Sequence, residues 1–199
     1  MPGPESRRIV FATTNAHKLS EARGILAPLG IEVERPDRPL PEVREDGDTF
    51  AANALLKARS AATCLGLPVL AEDSGLVVPA LGGEPGVLSA RYAGRQGDDA
   101  ANNALLVARA AAAGLVDPPC AFVCSAVVVA PDGRVLAAAE GRVEGVLRWP
   151  GRGRHGFGYD PLFHHPPSGR RLAELSESEK HAISHRGQAL RALARRRSG

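Results

Sequence analysis

The 199-residue chain is 44% hydrophobic and 24% charged, the balance of a soluble globular protein with a core of its own, which excludes a disordered or fibrous chain. No apolar run approaches the roughly 20 residues of a membrane span, and MPGPESRR has no apolar signal core behind its arginines, so a cytoplasmic protein with no membrane partner is expected. The net charge of +3 owes much to the C-terminal RALARRRSG; no aromatic residues interleave with those arginines, which therefore read as a solvated helix end, and no stable nucleic-acid partner is expected.

In chain order, Arg8–Thr13 predicts a buried strand and Ala16–Leu26 a helix ended by the Pro28 and Gly30 region. Ile31–Glu34 is a short strand, followed by the Pro-rich loop RPDRPLPEVREDGD. Thr49–Leu65 predicts a long Ala/Leu-rich helix capped by Asp48. Pro68–Ala71 reads as a buried strand ending at Glu72-Asp73-Ser74-Gly75, with Leu76–Val78 apolar again. The loop LGGEPGVLSARYAG leads to a third helix from about Asp98 to Ala113. Ala121–Ala130 and Arg134–Leu147 flank a Pro131-Asp132-Gly133 turn as a long hairpin. A last helix opens at the capping box Ser176-Glu177-Ser178-Glu179 and runs to about Arg195. Alternating strands and helices followed by a hairpin predict an α/β fold with a mixed sheet, in one domain spanning residues 1–199.

Two compositional details bear on chemistry. The three cysteines are odd in number, and Cys120 and Cys124 lie on one apolar run. In a strand, four residues separate them by roughly 13 Å, too far for a disulfide, so buried reduced thiols are expected. Of the 25 basic residues only three are lysine, Lys18, Lys57 and Lys180. A chain that defaults to arginine keeps lysine where a compact ammonium serves better than a planar fork.

Four stretches carry candidate chemistry. In TTNAHK, Asn15 reads as an N-cap with His17 and Lys18 in the first helical turn, where the helix dipole disfavours cations. A bound phosphate resolves that conflict, cradled by the Thr13 and Thr14 hydroxyls, the Asn15 amide, backbone N–H groups and Lys18; a plain surface lysine is the alternative. In LPVLAEDSG, two adjacent carboxylates close an apolar run. A hard divalent cation would justify them, completed by Glu42 or Glu45-Asp46 of the preceding loop; an acidic strand-end turn is the alternative. In GFGYDP, residues 156–161, Phe157 and Tyr159 sit between glycines and suit stacking on a flat base, or else a tight turn with core aromatics. In SEKHAISHRGQAL, Lys180, His185 and Arg186 form a polar wall on one helix, or a solvated face. The glutamate of HExxH is missing between His181 and His185, which argues against zinc. Together the four supply the parts of a nucleoside triphosphate hydrolase.

The motifs T-x-N-x-x-K, TFAANALLKA, EDSGL, LGGEPGVLSARYAG, GFGYDP and EKHAISHRGQAL, in that order over nearly the whole chain, resemble the inosine triphosphate pyrophosphatase family, the XTP/dITP diphosphatases that clear aberrant purine nucleotides. The resemblance implies two α/β lobes around a long mixed sheet, a nucleotide cleft between them, a homodimer and Mg²⁺ as cofactor. It implies that Thr13, Thr14, Asn15, Ala16, His17 and Lys18 bind the triphosphate and that Asp73 is the catalytic carboxylate, with Lys18 assisting. Asp73, Glu45 and Glu72 would ligate the metal. Ser74 would contact substrate, Phe157, Gly158, Tyr159 and Asp160 would hold base and sugar, and Lys180, His185 and Arg186 would contact the nucleotide. Bacterial relatives often carry Asp-Asp where this chain has Glu72-Asp73. Neighbouring readings are a pyrophosphatase for other modified nucleotides, a phosphatase releasing orthophosphate, and a nucleotide- or RNA-binding regulator without catalysis.

Overall fold

Residues 7–196 are described in a computed structural model; the expectations drawn from Met1–Ser6 and from residues 197–199 lie outside them. Among the described residues there are seven strands and five α-helices, alternating as far as β4: β1 (Arg7–Phe11), α1 (Ala16–Leu26), β2 (Ile31–Glu34), α2 (Phe50–Leu65), β3 (Val69–Val77), α3 (Asp99–Ala112), β4 (Pro119–Val129), β5 (Val135–Leu147), β6 (Phe163–His165), β7 (Arg170–Arg171), α4 (Glu177–Ile183) and α5 (His185–Arg196). The sheet order is β2-β1-β3-β4-β5-β6-β7. β1 runs parallel to β2 and β3, while β5, β6 and β7 run antiparallel, so the expected mixed α/β sheet is present. No helix among the described residues is long and apolar enough to cross a membrane.

The chain divides into two compact units. Among the described residues, the first comprises 7–73, 124–141 and 185–196; the second comprises 74–123 and 142–184. In the first, β1 and β2 present Ile9, Phe11, Ile31 and Val33 to Leu19, Ala22, Ile25 and Leu26 of α1 and to Ala189, Leu190 and Leu193 of α5. A separate cluster packs Ala54, Ala58, Ala61 and Ala62, one face of α2, on Val69, Ala71, Val127 and Val129. Alanines on that face let the helix lie close to the sheet. Gly141 does the same for α5: a Cβ there would sit 2.0 Å from the His185 carbonyl oxygen. The second unit buries Leu76, Leu106, Phe122, Leu147, Phe163, Leu172 and Leu175 around the Phe122–Phe163 ring pair, 4.8 Å between centroids.

Three local expectations are corrected. α2 is capped by Thr49, whose hydroxyl accepts from Ala52 N at 3.1 Å, rather than by Asp48. β3 does not stop at Glu72; it continues through Asp73, Ser74 and Gly75 to Val77, so the acidic pair lies inside a strand. The last helix is two helices. Ser184 adopts an extended conformation (φ −65°, ψ 154°) between them, which places His181 and His185 on different helices. The turn before α3, capped by Asp98, and the β4–β5 turn at Pro131–Gly133 form where expected.

Candidate active site

In the first unit, the parallel pairing of β1 with β3 sets Phe11 opposite Leu70, and the TTNAHK loop therefore leaves the sheet beside Glu72. Asn15 is the expected N-cap: its Oδ1 accepts from His17 N at 2.9 Å and Lys18 N at 3.1 Å. Thr13 Oγ1 accepts from Asn15 N at 3.1 Å. Two of the first-turn amides expected to face a phosphate are thus satisfied by Asn15 itself. Thr14, Ala16 and His17 are exposed. The cation at the helix start has a resident counter-ion, because Lys18 Nζ lies 3.2 Å from Glu72 Oε1.

Consecutive strand residues point to opposite faces of a sheet, and this separates Glu72 from Asp73. Glu72 is fully enclosed. Arg186 Nε and Nη2 donate to its two oxygens at 2.8 and 2.9 Å, and Cys124 Sγ donates at 2.9 Å. Arg186, 1% exposed, also pairs with Glu21. Burial would raise the Glu72 pKa, but Arg186 and then Lys18 override it and hold the carboxyl well below the usual range. Arg186, expected to contact the nucleotide, and Glu72, expected on the metal, are paired with each other, and neither charge is tolerable in this enclosure alone. Burial, then Glu72, lifts the Cys124 thiol far above its ordinary value, and Cys120 is pushed up to about 12. The cysteines are free, Cys120 and Cys124 buried, as expected.

Asp73 looks the other way, toward α2. Its Oδ1 lies 3.2 Å from Lys57 Nζ and its Oδ2 accepts from Asn53 Nδ2 at 3.3 Å. Lys57 Nζ also donates to Glu45 at 2.8 Å. Of the loop acids, Glu45 turns inward while Glu42 and Asp46 are exposed. Asn53 holds that loop through Gly47, accepting from its N at 2.9 Å and donating to its O at 3.3 Å. Burial raises the Asp73 pKa, opposed by Lys57 and Lys18 and assisted by Glu45. Burial works against the Lys57 ammonium, yet Asp73 and Glu45 keep its pKa above the usual value. No group of three or more His, Cys, Asp and Glu side chains assembles as a metal set among the described residues.

In the second unit, Ser74 is half-buried on β3. The GFGYDP turn closes around buried Asp160, whose Oδ2 accepts from Phe157 N at 2.9 Å and from Lys180 Nζ at 2.5 Å. Gly156 is required there: at φ 74°, a Cβ would meet Asp160 Oδ2 at 2.0 Å. Lys180 Nζ lies 4.8 Å from the centroid of the half-buried Phe157 ring. Tyr159, by contrast, is 3% exposed and donates its hydroxyl to Ser89 O at 2.9 Å. It is a core residue, whereas the Phe157 ring is only half-buried. α3 fixes the turn, with Asp99 accepting from Gly158 N at 2.6 Å and Asn103 donating to Gly158 O at 2.8 Å.

The polar wall of Lys180, His185 and Arg186 is not a single helical face. Lys180 lies on α4 with Asp160, while His185 and Arg186 are buried on α5. Sequence reasoning did not assign Lys57, Asn53, Asp99 or Asn103. Lysine scarcity pointed at Lys57, and all three lysines meet carboxylates of the candidate set. Nothing local distinguished the other three, because the contacts that tie them to Asp73 and to the Gly158 turn span 20 or more residues.

Comparison with known proteins finds relatives over nearly the whole chain. The family model described as "Ham1 family" matches residues 9–196. A dITP/XTP pyrophosphatase of Streptomyces avermitilis is 46% identical over 192 residues, covering 94% of each chain. One from Frankia alni is 50% identical over 195 residues, covering 94% of this chain and 95% of its own. The structure of a HAM1 protein from Coxiella burnetii superposes with a TM-score of 0.85 at 41% identity, covering 95% of this chain and 97% of its own. The match of a whole-chain family model, with these relatives and a shared fold, shows that the chain belongs to the Ham1 family.

Proposed function

We propose that the protein hydrolyses aberrant purine nucleoside triphosphates, ITP, dITP and XTP, to the monophosphate and pyrophosphate, with residues 1–199 acting as one catalytic domain. The observation that carries this reading is the convergence of Asp73 and Glu45 on one cation, the Lys57 ammonium, at 3.2 and 2.8 Å. Two carboxylates and a position shaped for positive charge suit Mg²⁺, which takes one or two protein carboxylates and completes its shell with phosphate and water. Asp73 and Glu45 would hold the ion, and it would supply charge neutralisation on the phosphate oxygens. Glu72 does not fit as a ligand, since its oxygens are spent on Arg186, Lys18 and Cys124.

The chain's own groups then divide the work. Thr13, Thr14, the Asn15 amide and Lys18 receive the triphosphate, and Lys18 offsets charge on the departing pyrophosphate. Asp73 orients and deprotonates the water that attacks the α-phosphorus, as a general base. Phe157 stacks on the base, with Ser74 and the Gly158–Asp160 turn supporting substrate. We carry over a homodimer, working in the cytoplasm on the nucleotide pool. The names of the relatives support this activity. The decisive assay is a panel of triphosphates with and without Mg²⁺, resolving pyrophosphate from orthophosphate. Orthophosphate as product, or binding without turnover, would refute the reading.

Base selectivity follows from Lys180. Hypoxanthine and xanthine carry an oxygen acceptor at C6 where adenine carries an amino donor, and an ammonium only donates. Donor facing donor in a dry site is costly, so ITP and XTP should exceed ATP strongly in kcat/KM. Lys180→Met should narrow the ITP-to-ATP ratio; an unchanged ratio in a folded variant would remove Lys180 from base reading.

Lys18→Ala should raise KM and lower kcat/KM. Because Lys18 pairs with buried Glu72, the variant should also lose roughly 1–2 kcal/mol of stability, the range for a hydrogen bond to a charged group less the relief of the helix dipole. Urea unfolding of the variant checks this.

A further inference from the structure

Three arginines of the second unit line one cavity of about 290 Å³. Arg148 follows β5, Arg152 lies in the next loop and Arg171 sits on β7; His164 of β6, Gly169 and Glu174 complete the lining. The acids nearby are largely committed. Asp117 accepts from Arg148 Nε at 2.6 Å, and Glu174 Oε2 accepts from the Arg171 backbone N at 2.7 Å. Arg171 is 7% exposed, and its buried Nε has no acceptor among the described residues. A buried donor without an acceptor is rare in a folded protein. Burial, then Arg148 and Arg152, lower the Arg171 pKa, and burial, Arg148 and Arg171 lower that of His164.

A guanidinium fork matches an oxyanion of several acceptor oxygens. The cavity's volume is at the lower edge of small-molecule pockets, about 300 Å³, which suits a phosphoryl group better than an entire nucleotide. We propose that the cavity bounded by Arg148, Arg152 and Arg171 is an anion site for a phosphoryl group, offered by inorganic phosphate or pyrophosphate or by a small phosphate ester. It shares no residue with the Thr13–Lys18 segment or the Phe157–Asp160 turn. Arg171 supplies the enclosed donor, while Arg148, half-buried, and Arg152, exposed, close on the anion from the solvent side.

The test is a titration of the full chain followed through the Arg171 Nε–Hε nuclear magnetic resonance signal. Sodium phosphate, sodium pyrophosphate and ribose 5-phosphate are added separately, with sodium chloride at matched ionic strength as control. A saturable shift with a phosphoryl compound and none with chloride is expected. Response to ribose 5-phosphate identifies the ester as a source, and response to the inorganic ions alone identifies those. Arg152→Gln and Arg148→Gln should each weaken the affinity by at least about tenfold, as expected for loss of a charge-assisted hydrogen bond. A linear drift matching chloride overturns the proposal. So does saturable binding that both variants retain, since that places the anion elsewhere.

Discussion

Asp73→Asn is expected to lower kcat by at least ~10²-fold, the low end of general-base effects, while leaving the fold intact. The amide keeps the shape and the hydrogen bond from Asn53 but surrenders the charge that faces Lys57 and Glu45. Stability should move the other way. Burial raises the folded-state pKa of Asp73 above its unfolded value. An ionised Asp73 therefore subtracts stability, a deficit absent below the unfolded pKa and complete above the folded one. At neutral pH the Asn variant, without metal or nucleotide, should be at least as stable as wild type, with Lys57 still paired to Glu45. Turnover and thermal unfolding measured together decide the matter. A folded variant with near wild-type turnover would remove Asp73 from catalysis, and a strongly destabilised one would make it a structural residue.

Arg186→Leu should cost roughly 3–5 kcal/mol of stability, the penalty for leaving buried charge without its partner. In a chain of 199 residues that lowers Tm by about 10 °C. The substitution strips Glu72 of two hydrogen bonds and Glu21 of its ion pair, leaving Lys18 as the cation at Glu72. The pH dependence carries a signature. The depressed Glu72 pKa contributes stability that is fully present above the unfolded pKa and lost as pH falls through the folded one. Without Arg186 the Glu72 carboxyl should titrate upward, so the deficit should shrink as pH drops toward 4. Adding Glu72→Gln to Arg186→Leu should recover part of the loss, and the double-mutant cycle isolates the pair. If Arg186 instead read the base, its removal would alter the ITP-to-ATP ratio with little effect on unfolding.

Helix α1, strand β2, the Asn15 cap, the start of α3 and the β4–β5 turn were legible because each is written in local chemistry: apolar period, cap residue, turn residue. The motifs of the Ham1 family were legible in the same way, as residue types in order. What failed were inferences about direction. Glu72 and Asp73 are adjacent in sequence and were read as one acidic pair. Their strand continues, so they face opposite ways, one toward Arg186 and the other toward Lys57 and Glu45. Lys180, His185 and Arg186 suggest a polar wall on one helix, and a single extended residue, Ser184, divides that helix in two.

Element types, the mixed α/β class, the absence of a Cys120–Cys124 bond and the three positions where lysine replaces the usual arginine were set by the chain alone, because propensity, periodicity and composition act over a few residues. Only the tertiary structure decided which acid each lysine meets, that Tyr159 belongs to the core while Phe157 does not, and that three arginines share a cavity. Those outcomes depend on which face of a strand or helix a side chain leaves from and on what a distant segment brings opposite it. A buried charge is stable only where a distant partner compensates it, so its role is fixed by the packing that encloses it and not by its neighbours in the chain.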